Sequence, residues 1–172
     1  YFVNPNNPTS TVTPASEIEL WVKSKPDNTL FIADEAYAEY VSDPNFKSMA
    51  NLIQDGLDNV VLLKTFSKLY SMAGMRVGFA VGAPAIIKMM KDQVAGEKLN
   101  YPGVTAALVS LDDEPFQEYS RASNLESRKI LASCFDKLGV KYLPSSTNFM
   151  FFELNEPIHA FQKKMEARNI LV

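Results

Sequence analysis

The chain has 172 residues, 47% of them hydrophobic and 22% charged, with a formal net charge of −3. That balance supports one buried core, or one domain and part of a second, and excludes a disordered chain. The basic residues are scattered, so no positive field is available for a nucleic-acid backbone or an anionic membrane, and a small-molecule partner is expected.

Cys134 is the only cysteine. It rules out an internal disulfide and a cysteine-built metal site, and it fits a reducing, cytoplasmic setting. No apolar run is long enough to span a bilayer and no N-x-Ser/Thr acceptor is present. Tyr1 opens inside an apolar run and Ile170, Leu171 and Val172 close on another. Both ends read as cut, and the lack of a leader carries no information about compartment.

In chain order, residues 1–3 read as the end of a strand. Thr13 reads as an N-cap with Pro14 at the first helical position, opening a helix to about Lys25. The apolar run at 30–33 reads as a buried strand stopping at Asp34, and the run at 60–63 as another stopping near Thr65. Residues 77–81, bracketed by Gly74, Gly78 and Gly82, read as a fourth strand against which something packs closely. Ala83 and Pro84 start a further helix, and after a turn at 100–103 an Ala/Val/Leu-rich helix runs to about Leu111.

From Asp113 a long helix carries an apolar stripe at Ser127, Ile130, Leu131, Cys134, Phe135 and Leu138, breaks at Gly139, and is expected to hinge two domains. Residues 140–143 and 149–154 read as strands, 158–168 as a helix, and 170–172 as the start of a third strand. Short strands alternating with helices predict an α/β layer structure. The expected division is residues 1–115 as the C-terminal part of a large domain and 116–172 as a connecting helix with part of a small α+β domain.

Polar clusters follow three of the strands: Asn7 with Pro8 and Thr9, then residues 34–37, then 65–68. Parallel strands in an open α/β sheet put their carboxyl ends on one edge, where ligands bind. Each cluster also has a plainer reading. The asparagines and prolines of 4–9 suit a turn, Asp34 suits the N-cap of a short helix over 35–40, and Lys68 suits a solvated loop.

The run Lys64-Thr-Phe-Ser-Lys68-Leu-Tyr-Ser-Met-Ala-Gly-Met-Arg76-Val-Gly78 resembles the cofactor-lysine segment of the class I/II aminotransferases, a fold-type-I family dependent on pyridoxal 5'-phosphate. Asn-Pro-Asn-Asn-Pro-Thr-Ser at 4–10 and Asp-Glu-Ala-Tyr at 34–37 resemble that family's two preceding signatures, in the same order and spacing. The resemblance covers nearly the whole chain. It looks closest to the histidinol-phosphate aminotransferase branch, from residues 73–76 and 143–149.

The resemblance implies a mixed large-domain sheet with flanking helices and assigns roles residue by residue. Lys68 condenses with the cofactor aldehyde and then shuttles a proton at the substrate α-carbon. Asp34 faces the pyridine nitrogen and keeps it protonated. Asn7 and Tyr37 donate to the ring's phenolic oxygen, and Arg76, Thr65 and Ser67 hold the phosphate. The family's phosphate loop and ring-stacking aromatic lie upstream of Tyr1, and its substrate-carboxylate arginine lies beyond Val172. Ser10 departs from the family's usual glycine.

The implied activity moves an amino group between an amino acid or amino-phosphate donor and a 2-oxo acid in a homodimer. Alternatives are a decarboxylase or carbon–sulfur lyase of the same fold, or a pyridoxal-phosphate-sensing domain of a transcription regulator. His159, the only histidine, reads as a helix surface residue without metal partners. Cys134 reads as buried filler, and Met72, Met75, Met89 and Met90 as core or interface packing. Tyr70 is placed to touch a partner subunit.

Overall fold

The computed structural model describes residues 1–24, 28–94 and 99–172. Four strands, β1 (Phe2–Val3), β2 (Phe31–Asp34), β3 (Val60–Thr65) and β4 (Gly78–Gly82), form one sheet in that order. β1, β2 and β3 are parallel, and β4 runs antiparallel to β3. The carboxyl ends of the three parallel strands therefore share an edge, as the sequence predicts.

Side-chain parity decides what each face of β2 and β3 does. Phe31 and Ala33 of β2 and Val60 and Leu62 of β3 point to one face. There they meet Ile18 and Val22 of helix α1 (Ala15–Lys23), Leu52 of the short helix α2 (Ala50–Gln54), and Met49 beside it. Burying each such side chain contributes about 1.5–3 kcal/mol. Asp34 falls on the opposite face beside Leu63, its register partner. One face builds the main core, and the other carries Asp34 at the strand's carboxyl end.

β4 closes the sheet at very short range. A Cβ added to Gly78 would sit 2.7 Å from the Lys64 carbonyl oxygen, and one on Gly82 3.2 Å from that of Val60. The close neighbour expected for Gly78 and Gly82 is thus the backbone of β3, whereas a Cβ on Gly74 would meet nothing within 4 Å. Gly78→Ala is expected to cost about 1–3 kcal/mol, because backbone cannot swing aside as a side-chain tip can. Chemical denaturation measures this, and a loss below about 0.5 kcal/mol would contradict the close approach.

Several expectations need correction. Pro14, with ψ 142°, is the cap of α1, and its side chain makes no capping bond. Thr13 is unavailable as a cap because Asn4 clamps its backbone: Asn4 Oδ1 accepts from Thr13 N–H at 2.9 Å and Asn4 Nδ2 donates to the Thr13 carbonyl at 3.1 Å. The expected helix end at Lys25 lies outside the described residues. α2 has too few residues to show periodicity. After Asp34 only a 3₁₀ turn, Ala38–Tyr40, forms in place of a helix.

Helices α3 (Pro84–Asp92), α4 (Tyr101–Leu111) and α5 (Glu114–Leu138) follow, and α6 (Ile158–Glu166) comes last. Asp113 caps α5 by accepting from Phe116 N–H at 3.1 Å, and Gly139 ends it at φ 66°. The expected strands at 140–143 and 149–154 reduce to a single antiparallel bridge, Tyr142 to Phe152, and residues 170–172 join no strand among those described.

On α5, Phe135 packs on Tyr142 and Phe152, but Ile130, Leu131 and Leu138 are exposed. Cys134 is exposed as well, not buried filler. One bridge covers only part of the stripe. His159 is exposed on α6, as expected, and Met75, Met89 and Met90 are exposed, which removes the core half of the expected core or interface packing. No helix among the described residues is long and apolar enough to cross a membrane.

Candidate active site

Residues from all three parallel strand ends meet at the shared edge. Asp34, Thr65, Ser67, Lys68 and Arg76 line one cavity of about 340 Å³, together with Leu63 and Lys64. Asn7 and Tyr37 adjoin this group, with Asn7 Nδ2 3.4 Å from the Tyr37 hydroxyl. Lys68 Nζ stands 5.0 Å from the centre of the Tyr37 ring. Every residue that the resemblance assigns to the cofactor therefore lines the cavity or is linked to it through Tyr37.

The loop after β3 is held by its own packing. Leu69 is buried with Tyr37 and Tyr40, and its carbonyl accepts from Ser120 Oγ of α5 at 2.9 Å. Tyr37 is braced on its other side by Phe149, edge to face with ring centres 5.2 Å apart. Lys68 is thus carried between two anchored neighbours. Thr65 Oγ1 accepts from Ser67 N–H at 3.1 Å, which closes the turn leading to Lys68.

Arg76 sits in a left-handed turn at φ 53°, and its Nη1 donates to the Ala73 carbonyl at 2.8 Å. One of five guanidinium N–H groups is used there. The cavity consequently holds a carboxylate, two amines, two hydroxyls and a guanidinium. A larger hollow of about 700 Å³ along α4 is lined by residues such as Tyr101, Thr105 and Val109 and carries no amine, carboxylate or guanidinium. Its chemistry is poorer despite its size.

Ser10, where the resembled family has glycine, is fully buried at φ 62°. Glycine takes that conformation without a steric cost, which accounts for the family preference. The Ser10 carbonyl accepts from Ser146 N–H at 2.8 Å, so residues 145–147 are tied to the loop carrying Asn7.

The sequence offered no role for a charged cluster beside the cavity. Glu35 is 1% exposed. It accepts from Met49 N–H at 2.6 Å and Ser48 Oγ at 2.7 Å, and lies 3.3 Å from Lys64 Nζ, which also meets Glu39 at 2.8 Å. Burial alone would lower the Lys64 pKa, but the charges and hydrogen bonds of Glu39 and Glu35 overcome it and raise it. Only the strand register reveals this pairing.

Residues 1–172 match the family Aminotransferase class I and II, and the chain belongs to that family. Its fold is that of the fold-type-I aminotransferases. At 52% identity and a TM-score of 0.97 it is similar to a solved structure from Erwinia carotovora atroseptica provisionally assigned as a histidinol-phosphate aminotransferase, covering 100% of this chain and 50% of that one. A histidinol-phosphate aminotransferase from Sinorhizobium meliloti, solved in complex with pyridoxal-5'-phosphate, is 26% identical at a TM-score of 0.90 over 99% of this chain and 47% of that one. The Moorella thermoacetica histidinol-phosphate aminotransferase is 33% identical over 172 residues, 100% of this chain and 45% of its own length. The chain spans about half the length of these relatives.

Proposed function

We propose that this chain carries the cofactor-binding wall of a pyridoxal-phosphate-dependent aminotransferase of histidinol-phosphate type. The observation that carries the reading is the cavity in which Asp34, Lys68 and Arg76 converge with two hydroxyls. The donor set suits the cofactor's own chemistry: an aldehyde calls for an amine, a ring nitrogen for a carboxylate, and a phosphate dianion for a guanidinium beside hydroxyls. Residues 1–115 are assigned to the large domain and 116–172 to the connecting helix and part of the small one.

When bound, pyridoxal phosphate supplies an electron sink for charge that develops at the substrate α-carbon. The chain's residues do the rest. Lys68 would hold the cofactor through Nζ, and its free amine would move a proton at that carbon. Asp34 would keep a proton on the ring nitrogen, Asn7 and Tyr37 would donate to the ring oxygen, and Arg76, Thr65 and Ser67 would fix the phosphate. Substrates are an amino acid or amino-phosphate donor and a 2-oxo acid, taken in turn by a homodimer.

The test is turnover by the native protein. With pyridoxal phosphate, histidinol phosphate and 2-oxoglutarate, glutamate is expected to accumulate without carbon dioxide. Histidinol phosphate has no carboxylate to lose, so amino acid donors are assayed beside it, and gas without glutamate from those donors would reject transamination in favour of decarboxylation.

A further inference from the structure

Both oxygens of the Asp34 carboxylate are engaged. Oδ1 accepts from Ala36 N–H at 3.0 Å, a bond within the chain's own turn. Oδ2 accepts from the Tyr1 hydroxyl at 2.6 Å, a residue 33 positions away. The second bond follows from the sheet. Val3 is the register partner of Asp34, and Tyr1, two residues before Val3, shares its face.

We propose that Tyr1 is a positioning residue for Asp34, its hydroxyl fixing Oδ2 so that the carboxylate presents one orientation to a bound pyridine nitrogen. The proposal rests on the pyridoxal-phosphate reading of the cavity. An aspartate's terminal torsion is broad, so a single donor on Oδ1 leaves the carboxylate plane free to rock. A donor on each oxygen fixes the plane. Each carboxylate oxygen has room for more than one donor, so Oδ2 keeps a place for a cationic ring N–H.

Tyr1 stays a donor across the physiological range. Its hydrogen bond to Asp34, then burial, then the carboxylate's charge push the phenol up to about 12. Phenylalanine keeps the ring, so Tyr1→Phe takes away a contact and little packing.

The experiment is Tyr1→Phe in the native protein, alone and with Asp34→Asn, each compared with its parent. Pyridoxal phosphate binding is measured by titration without substrate, alongside alkaline tyrosine difference absorbance of the cofactor-free protein. Tyr1→Phe is expected to weaken binding about tenfold with an unchanged unfolding midpoint, as befits loss of one charge-assisted bond. In the Asp34→Asn background it is expected to change nothing further.

In the cofactor-free protein, the tyrosine titrating near 12 is expected to vanish in Tyr1→Phe and to return toward the ordinary range in Asp34→Asn. Unchanged or tighter binding by Tyr1→Phe would overturn the proposal and mark Tyr1 as a mere cover over the carboxylate. An equal loss in the Asp34→Asn background would overturn it too, since the effect would not pass through Asp34. Failure of the parent protein to bind pyridoxal phosphate at all overturns the cofactor reading and this proposal with it. That outcome is distinct from a parent that binds and a variant that binds equally well.

Discussion

Alanine at position 68 is expected to abolish the borohydride-trapped cofactor adduct and to lower turnover roughly ten-thousand-fold, the upper range for loss of a general acid–base group. Two lysines border the cavity, Lys64 and Lys68, and their surroundings differ in kind. Lys64 is committed to two carboxylates, Glu39 at 2.8 Å and Glu35 at 3.3 Å. Lys68 forms no ion pair among the described residues and is flanked by the face of Tyr37. Only the second amine is free to make and break a bond. A small primary amine added to Lys68→Ala is expected to restore part of the activity, because the missing element is a mobile base. An adduct that survives in Lys68→Ala would move the assignment to another lysine.

The second large effect concerns the fold. Lys64→Met keeps most of the side-chain volume but leaves the buried carboxylate of Glu35 facing that of Glu39 with no cation between them. Removing one partner of a buried ionic cluster costs about 3–5 kcal/mol, and the expected loss in unfolding free energy lies in that range. Adding Glu35→Gln should return part of it by removing the uncompensated charge. The pH dependence has a defined sign. The folded-state pKa of Lys64 is raised, so its contribution is complete below the unfolded lysine value near ~10.4 and fades as pH climbs through the higher folded value. Denaturant melts of parent and Lys64→Met should therefore converge only in strong alkali. A deficit under about 1 kcal/mol at neutral pH would show the cluster to be solvated in practice.

Much of the cavity is readable in the sequence because its parts are local. The apolar runs at 30–33 and 60–63 mark parallel strands, and the polar residues that stop them must then share an edge. That alone places Asp34 near Lys68. The family resemblance supplied the rest of the site residues, and the geometry brings them together. Residues whose roles depend on register were not readable. Nothing in the sequence couples Glu35 to Lys64 or Tyr1 to Asp34, since each pair meets only after β1, β2 and β3 align. The α5 stripe failed for another reason. Periodicity identifies which residues could be covered, not whether a cover is present, so Cys134 and Leu138 remain exposed. Strands at 140–143 and 149–154 shrank to one bridge because alternating apolar residues form a ladder only where a neighbour continues it.

Strand β2 serves two masters by odd and even numbering. Phe31 and Ala33 anchor the hydrocarbon interior, while Asp34 looks the other way. Deleting or inserting a single amino acid just before Asp34 would swap these populations, thrusting a carboxylate into oil and an aromatic ring toward the ligand. Exchanges that keep 31 and 33 apolar and 34 a carboxylate therefore preserve this segment, whereas a change in its residue count does not.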